Sequence, residues 1–239
     1  MVRSFFVYAG KNSLELGVCV EKCPSFAAAS RNVEKLQVPG RNGALVLDTG
    51  TYANTTQSYE IWFKNPNKNA TQAARDVAFW LLSSRGYMRL EDSYDPDIYR
   101  MAVFSGPLDV QNWMLMRGRT ILEFECKPQR YLKSGEHAVK ITQGGQKLQN
   151  QWMPALPLIR LNGSGTGRLL VGDSTIDIMG MTGGVTIDST TQNAYNGTVN
   201  LNNSIKVTGG FPVLSHGETA VAFSGGITSA EIIPRWWTL

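Results

Sequence analysis

Apolar and polar residues alternate over short distances through most of this chain, and one stretch breaks that rhythm. Residues 5–8 and 15–20 predict a first strand pair, with Gly10-Lys11-Asn12 as the turn between them. Two further apolar runs, 45–47 and 59–63, flank DTGTYANTTQS, a Gly/Thr/Asn-rich stretch that predicts a long hairpin or an extended arm over 48–58. Just before them stands VPGRNG at 38–43. Pro39-Gly40 suits a tight turn, because proline presets φ and glycine accepts a positive φ, and Gly43 allows a second bend.

The rhythm then changes to a helical one. In NATQAARDVAFWLLSSRG the apolar residues Ala70, Ala73, Ala74, Val77, Ala78 and Leu81 recur at helical spacing. Asn69 can cap the start and Gly86 can end the helix. Phe79, Trp80 and Leu82 widen the apolar face, so the helix is expected to be well buried against a sheet. Strands are expected to resume at 87–90, 99–105, 109–114 and 120–126.

Near residue 133 the composition turns polar, in KPQRYLKSGEHAVK, and a domain boundary is placed there, giving domains 1–133 and 134–239. No helical period survives beyond it. Short alternating runs at 156–161, 168–171, 175–178, 185–187, 204–207, 220–223 and 230–233 are separated by glycine-rich stretches at 163–167, 183–184, 209–210 and 225–226, read as turns. The pattern predicts a β-sandwich. The chain is thus expected to be mainly β, with one helix.

Composition supports that class and removes several functions. The chain has 239 residues, enough for one or two cores, and 42% of them are hydrophobic, which marks a globular protein. Its formal net charge of +4 forms no block of like charge, so a solvated surface accounts for it without a nucleic-acid partner. The opening apolar run is too short for a signal-peptide core, no stretch approaches a membrane span, and the cysteines (Cys19, Cys23 and Cys126) are odd in number. Synthesis and folding in the cytosol, without disulfides or membrane contact, is the expectation.

Catalysis finds no good candidate. His137 and His216 have no Cys or second His at metal-ligand spacing and read as surface residues. Cys19-x-x-x-Cys23 has the wrong spacing for a zinc knuckle, and buried small hydrophobes are the expected role of the cysteines. EDSYDPD, from Glu91 to Asp97, could offer a carboxylate pair for glycoside hydrolysis at Asp95 or Asp97, but it reads better as an acidic proline turn. GRNG matches a KH-type clamp only weakly, since strand-like runs lie beside it, and Ala44-Leu45 stand where a P-loop needs Lys-Ser/Thr. No cofactor and no metal are expected.

Six tryptophans remain to be placed. Trp236 and Trp237 cannot both point inward if the terminus is a strand, so one of them should meet another surface. At this point the chain resembles a known family. VPGRNG with ALVLDTGTYAN, the helix ending LLSSRGYMRLEDSYDPD, then AVFSGPLDV and FECKPQRYL, resemble the N-terminal domain of siphophage distal tail proteins. FPVLSHGETAVAFSGG followed by IIPRWWTL is similar to that family's closing segment. The motifs cover most of the chain in the same order.

The resemblance implies an N-terminal ring-forming domain, a β-sandwich with one helix and a hairpin arm, followed by a C-terminal galectin-like β-sandwich. It implies a structural role at the distal end of a long non-contractile tail of a phage or prophage. There a homohexameric ring joins the tail tube protein to a tail-tip hub or baseplate protein, with the tape measure protein a further neighbour, and leaves a channel through which DNA passes without specific binding. Arg41 is the one residue of VPGRNG that local folding does not explain; at the root of the arm it could grip carboxylates or main-chain carbonyls across a subunit boundary. Arg41, Asn42, Gly43, Tyr52, Asn54, Trp236 and Trp237 are the candidate interface residues. The rival reading is a carbohydrate-binding β-sandwich of a host-adsorption apparatus, stacking sugars on an exposed tryptophan.

Overall fold

The computed structural model describes residues 4–64, 69–108, 111–114 and 117–239. The chain forms two compact units, one closing at Arg130 and one running from Tyr131 to Thr238. The fold is mainly β, and the described residues contain a single α-helix.

In the first unit, β1 (Phe6–Tyr8) and β2 (Lys11–Asn12) form a tight hairpin around Ala9 and Gly10, both at positive φ (52° and 79°). That geometry matches the twist of the flanking strands. The expected pairing of 5–8 with 15–20 is therefore not made. Residues Ser13–Leu16 form a 3-10 turn capped by Asn12, and β3 (Val18–Val20) pairs instead with β6 (Thr55–Lys64). Between them, β4 (Arg31–Gln37) and β5 (Ala44–Tyr52) pair only with each other.

Helix α1 (Ala70–Ser83) starts as expected: the Asn69 side chain accepts from the Gln72 N–H at 2.8 Å. It ends earlier than expected. Ser84 already has extended backbone, and Gly86, at φ 82°, lies in the turn beyond. Ala73, Val77, Trp80 and Leu81 are buried, but Phe79 is 78% exposed and Leu82 52%. The buried stripe is narrower than the apolar one, because one sheet face covers only one side of a helix.

Strands β7 (Met88–Asp92), β8 (Ile98–Val103), β9 (Gln111–Met114) and β10 (Arg117–Leu132) complete this unit. Residues 109–110 of the expected strand 109–114 lie outside the described residues. The order is β2-β1-β7-β8-β10-β6-β3, with β9 also on β10. The Val20 N–H, at one margin, donates to the Ser4 carbonyl just ahead of β1 at 3.0 Å. The sheet thus curls until its margins approach, and its inner face supplies both layers of the β domain. An aromatic cluster fills the interior: Phe6 stacks on Tyr59 and Trp80, with centroids 5.2 and 5.5 Å away, and Phe124 packs edge-on against Phe6 at 5.6 Å.

The second unit holds β11 (Val139–Ile141), β12 (Gln146–Asn150), β13 (Leu158–Val171), β14 (Ser174–Asp188), β15 (Asn193–Asn196), β16 (Val199–Asn200), β17 (Ile205–Thr208), β18 (Gly217–Ile233) and β19 (Trp237–Thr238). Here the glycine-rich stretches correct the sequence reading. Those at 163–167, 183–184 and 225–226 are bends inside three long strands rather than turns between short ones. At 163 and 225–226 glycine is required because the backbones nearly touch: a Cβ on Gly226 would stand 1.7 Å from the Ser164 carbonyl oxygen. The bends let one strand serve two layers. β18 pairs with β12 over 217–221 and with β11 over 230–232, while β14 pairs with β17 near its start and with β15 near its end. Leu169, Val171, Ile176 and Ile178 from one set of halves meet Ile159, Leu161, Val185 and Ile187 from the other in a single core.

Candidate assembly surface

The β4–β5 pair is an arm. Its register runs from Arg31↔Tyr52 to Gln37↔Ala44, with a bulge between Arg31 and Val33 where Asn32 faces three residues of β5. All of β4 is exposed, and so is β5 except its two half-buried ends. Yet the arm is not polar. Val33, Leu36, Val38, Leu45, Val46 and Leu47 are all among the exposed large hydrophobics. Pairing places Leu36, Leu45 and Leu47 on one face and Val33 and Val46 on the other. A two-stranded ribbon that buries neither face is marginal in water. These apolar side chains therefore await a surface that the described residues do not supply.

The free end of the arm is VPGRNG. The Arg41 N–H donates to the Val38 carbonyl at 3.2 Å, with Pro39 and Gly40 as the central residues and Gly40 at φ 79°. This is the turn that Pro-Gly prefers. Arg41, Asn42 and Gly43 follow it, all exposed. The arm was expected over 48–58 with Arg41 at its root; it spans Arg31–Tyr52 instead, and Arg41 sits at its tip. Residues 55–58 belong to β6 and pair with β10. A polar composition had pointed to the return strand alone, whereas the ribbon is made by two alternating runs around the turn.

The root is held by side chains. Arg31 Nη1 meets Asp48 Oδ2 at 2.7 Å, and its guanidinium lies 5.7 Å from the centre of the Tyr52 ring. The Gly50 N–H donates to Asp48 Oδ1 at 2.8 Å. That backbone donor, with Arg31 beside it, holds the Asp48 carboxyl below its ordinary value. Asn32 Nδ2 donates to Thr51 Oγ1 at 3.0 Å across the bulge. Asn54, just past β5, donates to Tyr87 Oη at 2.8 Å and to Glu125 Oε1 at 2.6 Å, which ties the arm to the body.

Of the candidate residues, Arg41, Asn42 and Gly43 thus share the tip, and Tyr52 and Asn54 share the root. Seven strand residues, about 23 Å at ~3.3 Å each, separate the two groups. Trp236 and Trp237 belong to the second unit. Both are half-buried against its core, and Trp237 Nε1 donates to the Pro154 carbonyl at 2.9 Å. Arg235, at φ 58°, breaks the strand before them, so the alternation argued for two strand neighbours does not apply. The sequence reading missed the apolar residues of the arm. Their signal was the alternation NVEKLQV before the turn and ALVLD after it, a hairpin pattern around Pro-Gly.

Elsewhere the polar groups are structural. EDSYDPD is the expected acidic turn, closed by the Ile98 N–H on the Asp95 carbonyl at 3.2 Å. Asp92 is buried within it and accepts from the Tyr94 and Asp95 N–H groups at 2.9 and 3.0 Å. Cys19 and Cys126 are buried as expected, but Cys23 is exposed. His137 and His216 are exposed. Among the described residues, no three His, Cys, Asp or Glu side chains converge to hold a metal ion.

No family model matches the chain, and no curated protein matches it by sequence. Solved structures do match it by fold. The Dit protein of phage SPP1, described as a paradigm of the hub adsorption apparatus in phages infecting Gram-positive bacteria, superposes with a TM-score of 0.73 at 14% identity, over 99% of each chain. A chain of the phage P2 baseplate in its activated conformation with calcium gives 0.53 at 10% identity, over 100% of this chain and 99% of that one. The strontium form of the phage p2 baseplate gives 0.51 at 10% identity, over 97% of each. The chain therefore has a phage Dit-like fold along its whole length.

Proposed function

We propose that this protein is a structural distal tail protein: a ring hub at the far end of a long non-contractile phage or prophage tail. In that reading residues 1–133 close a homohexameric ring and the C-terminal galectin-like sandwich, 134–239, projects from it. The ring joins the tail tube protein to a tail-tip hub or baseplate protein, with the tape measure protein as a neighbour, and leaves a channel for DNA. The protein is made in the host cytoplasm and ends in the virion. It acts through surfaces, without enzymatic chemistry.

The observation that carries this reading is the fold match to a phage hub protein over 99% of both chains. The arm supplies a mechanism. A closed ring of one chain needs a donor patch and a different acceptor patch on each copy. An exposed ribbon with apolar residues on both faces is such a donor, and its outer strand edge can also extend a neighbour's sheet. Trp236 and Trp237 offer a second, partly exposed contact area on the C-terminal unit.

Native mass spectrometry of the full chain tests the reading. A single dominant assembly of six copies is the expected result. A chain that remains monomeric at its highest soluble concentration overturns it. Glycan binding lost on replacing Trp236 or Trp237 would move the protein to the carbohydrate-binding reading instead.

A further inference from the structure

The donor patch raises the question of where it lands. Outward-facing residues of β10 and β6 form an open sheet face. Ile121, 57% exposed, stands opposite Glu60; Glu123 stands opposite Ser58 and Glu125 opposite Thr56. Two hollows of about 390 Å³ each indent this face. One includes Ile121, Pro107 and Glu60. The other is lined by Asn54, Thr56, Ser105, Glu123 and Glu125 and has no cation in its wall. Glu125 is bonded there by the neutral amide of Asn54, and Glu123 has no ion-pair partner among the described residues.

The arm carries the complementary pattern. Of its charged residues, Arg31 and Asp48 pair with each other at the root. Toward the tip Lys35 and Arg41 outnumber Glu34, and Arg41 makes no ion pair among the described residues. Beside Arg41 lie exposed apolar residues, Val38 and the Leu36–Leu45 pair. So the arm presents a guanidinium followed by an apolar surface, and the sheet face presents two carboxylates followed by Ile121. On the sheet Ile121 lies two residues from Glu123 and four from Glu125, about 7 and 13 Å; on the arm Leu45 lies four residues from Arg41, at most about 13 Å.

We infer that the arm of one copy docks on the β6–β10 face of the next, with Arg41 in the hollow between Glu123 and Glu125 and the Leu36–Leu45 pair against Ile121. A planar guanidinium meets carboxylates through paired charge-assisted hydrogen bonds, which fixes register as well as affinity. Asn54 lines the hollow and lies at the root of the arm. Tip and root are opposite ends of a ribbon about 23 Å long, so a chain cannot fill its own hollow. The contact is tip-to-root between copies, and repeating it generates a ring or a filament.

This inference rests on the ring reading and is separable from it by charge exchange. Full-length Arg41→Glu and the double variant Glu123→Arg, Glu125→Arg each lose assembly by roughly tenfold or more in native mass spectra. The triple variant carrying all three changes regains it. Thermal melts of the monomers stay near wild type, since these side chains are exposed. If both charge variants assemble like wild type, or the triple variant fails to recover, the Arg41–Glu123/Glu125 pairing is wrong. If replacing residues 33–47 by a short glycine linker still abolishes assembly in that case, the ring reading stands and only this landing site falls. If the linker variant assembles like wild type, the arm is not the contact and this inference falls while the ring reading stands; if the wild type never assembles, both fall.

Discussion

Leu36 and Leu45 face each other across the arm, 54% and 37% exposed, in a strand pair that joins no other strand among the described residues. A contact of this kind adds little to the fold of the monomer, because both side chains keep much of their hydration. Replacing both by serine should change monomer stability by only about 0.5 kcal/mol, as for other surface substitutions. Assembly should be lost, since burial of those side chains between copies is what the arm contributes. Calorimetry and native mass spectrometry read the two effects separately. A loss of several kcal/mol in the monomer would instead make the arm part of the core.

A buried polar triad should behave in the opposite way. Tyr59 Oη donates to Asp92 Oδ2 at 2.8 Å, and Arg100 Nη1 approaches the same oxygen at 3.4 Å, all within the first unit. Asp92→Ala strands a buried guanidinium and removes the acceptor for two turn N–H groups, so it should cost about 3–5 kcal/mol. Tyr59→Phe loses one hydrogen bond and should cost about 1 kcal/mol. Urea denaturation of the full chain measures both. Equal, small losses would show that the triad is solvated.

Alkaline pH should destabilise the same unit. Burial pushes the Cys126 thiol up to about 11 from an ordinary value of 9.0, and burial, with the Asp92 charge beside it, raises Tyr59. Both groups are raised on folding. The stability they confer is complete below pH 9 and is lost as the pH climbs, first through the window from 9 to 11 for Cys126. That window corresponds to about 2–3 kcal/mol. Melting temperature should fall between pH 9 and 11, and the fall should be shallower in Cys126→Ala. An identical slope in the variant would remove the thiol as its cause.

Acid pH should act on the second unit through Arg235. Its guanidinium holds Asp188 in a bidentate grip, Nη1 to Oδ1 at 2.7 Å and Nη2 to Oδ2 at 3.2 Å. Partial burial favours the protonated acid, but the Arg235 and Thr190 hydrogen bonds outweigh it, and the carboxyl lies below its ordinary value. A lowered carboxyl contributes stability that is present above about pH 4 and fades as the pH drops through the folded value. Arg235→Gly keeps the positive φ accessible while deleting the grip, and should cost about 1.5–3 kcal/mol at pH 7. The cost should shrink toward pH 2. A cost independent of pH would point to packing of the arginine stem.

Much of the fold was legible before any coordinates. The 14-residue helix and its Asn69 cap, the acidic turn after β7 and the Pro-Gly turn at 39–40 all rest on interactions within a few residues of one another. Most of the short apolar runs in the second half do lie in strands, because alternation itself requires a half-buried sheet. The candidate site was half legible. Arg41, Asn42 and Gly43 were singled out, yet they were placed at the wrong end of the arm, because the polar run after Leu47 drew the hairpin to itself.

What the amino-acid order determined alone was local: which residues turn, which alternate, where one helix begins, and that no catalytic group stands out. Tertiary structure decided everything that depends on what lies opposite. Gly163, Gly225 and Gly226 read as turn residues, but they bend long strands because another backbone passes within van der Waals contact. Phe79 read as core, but one sheet face can cover only one side of the helix. Val33, Leu36, Leu45 and Val46 alternate as an ordinary half-buried strand pair would, a pattern the sequence reading missed, and only the fold shows them exposed among the described residues. Burial is a property of partners, and a sequence names the residues that seek burial without naming what they meet.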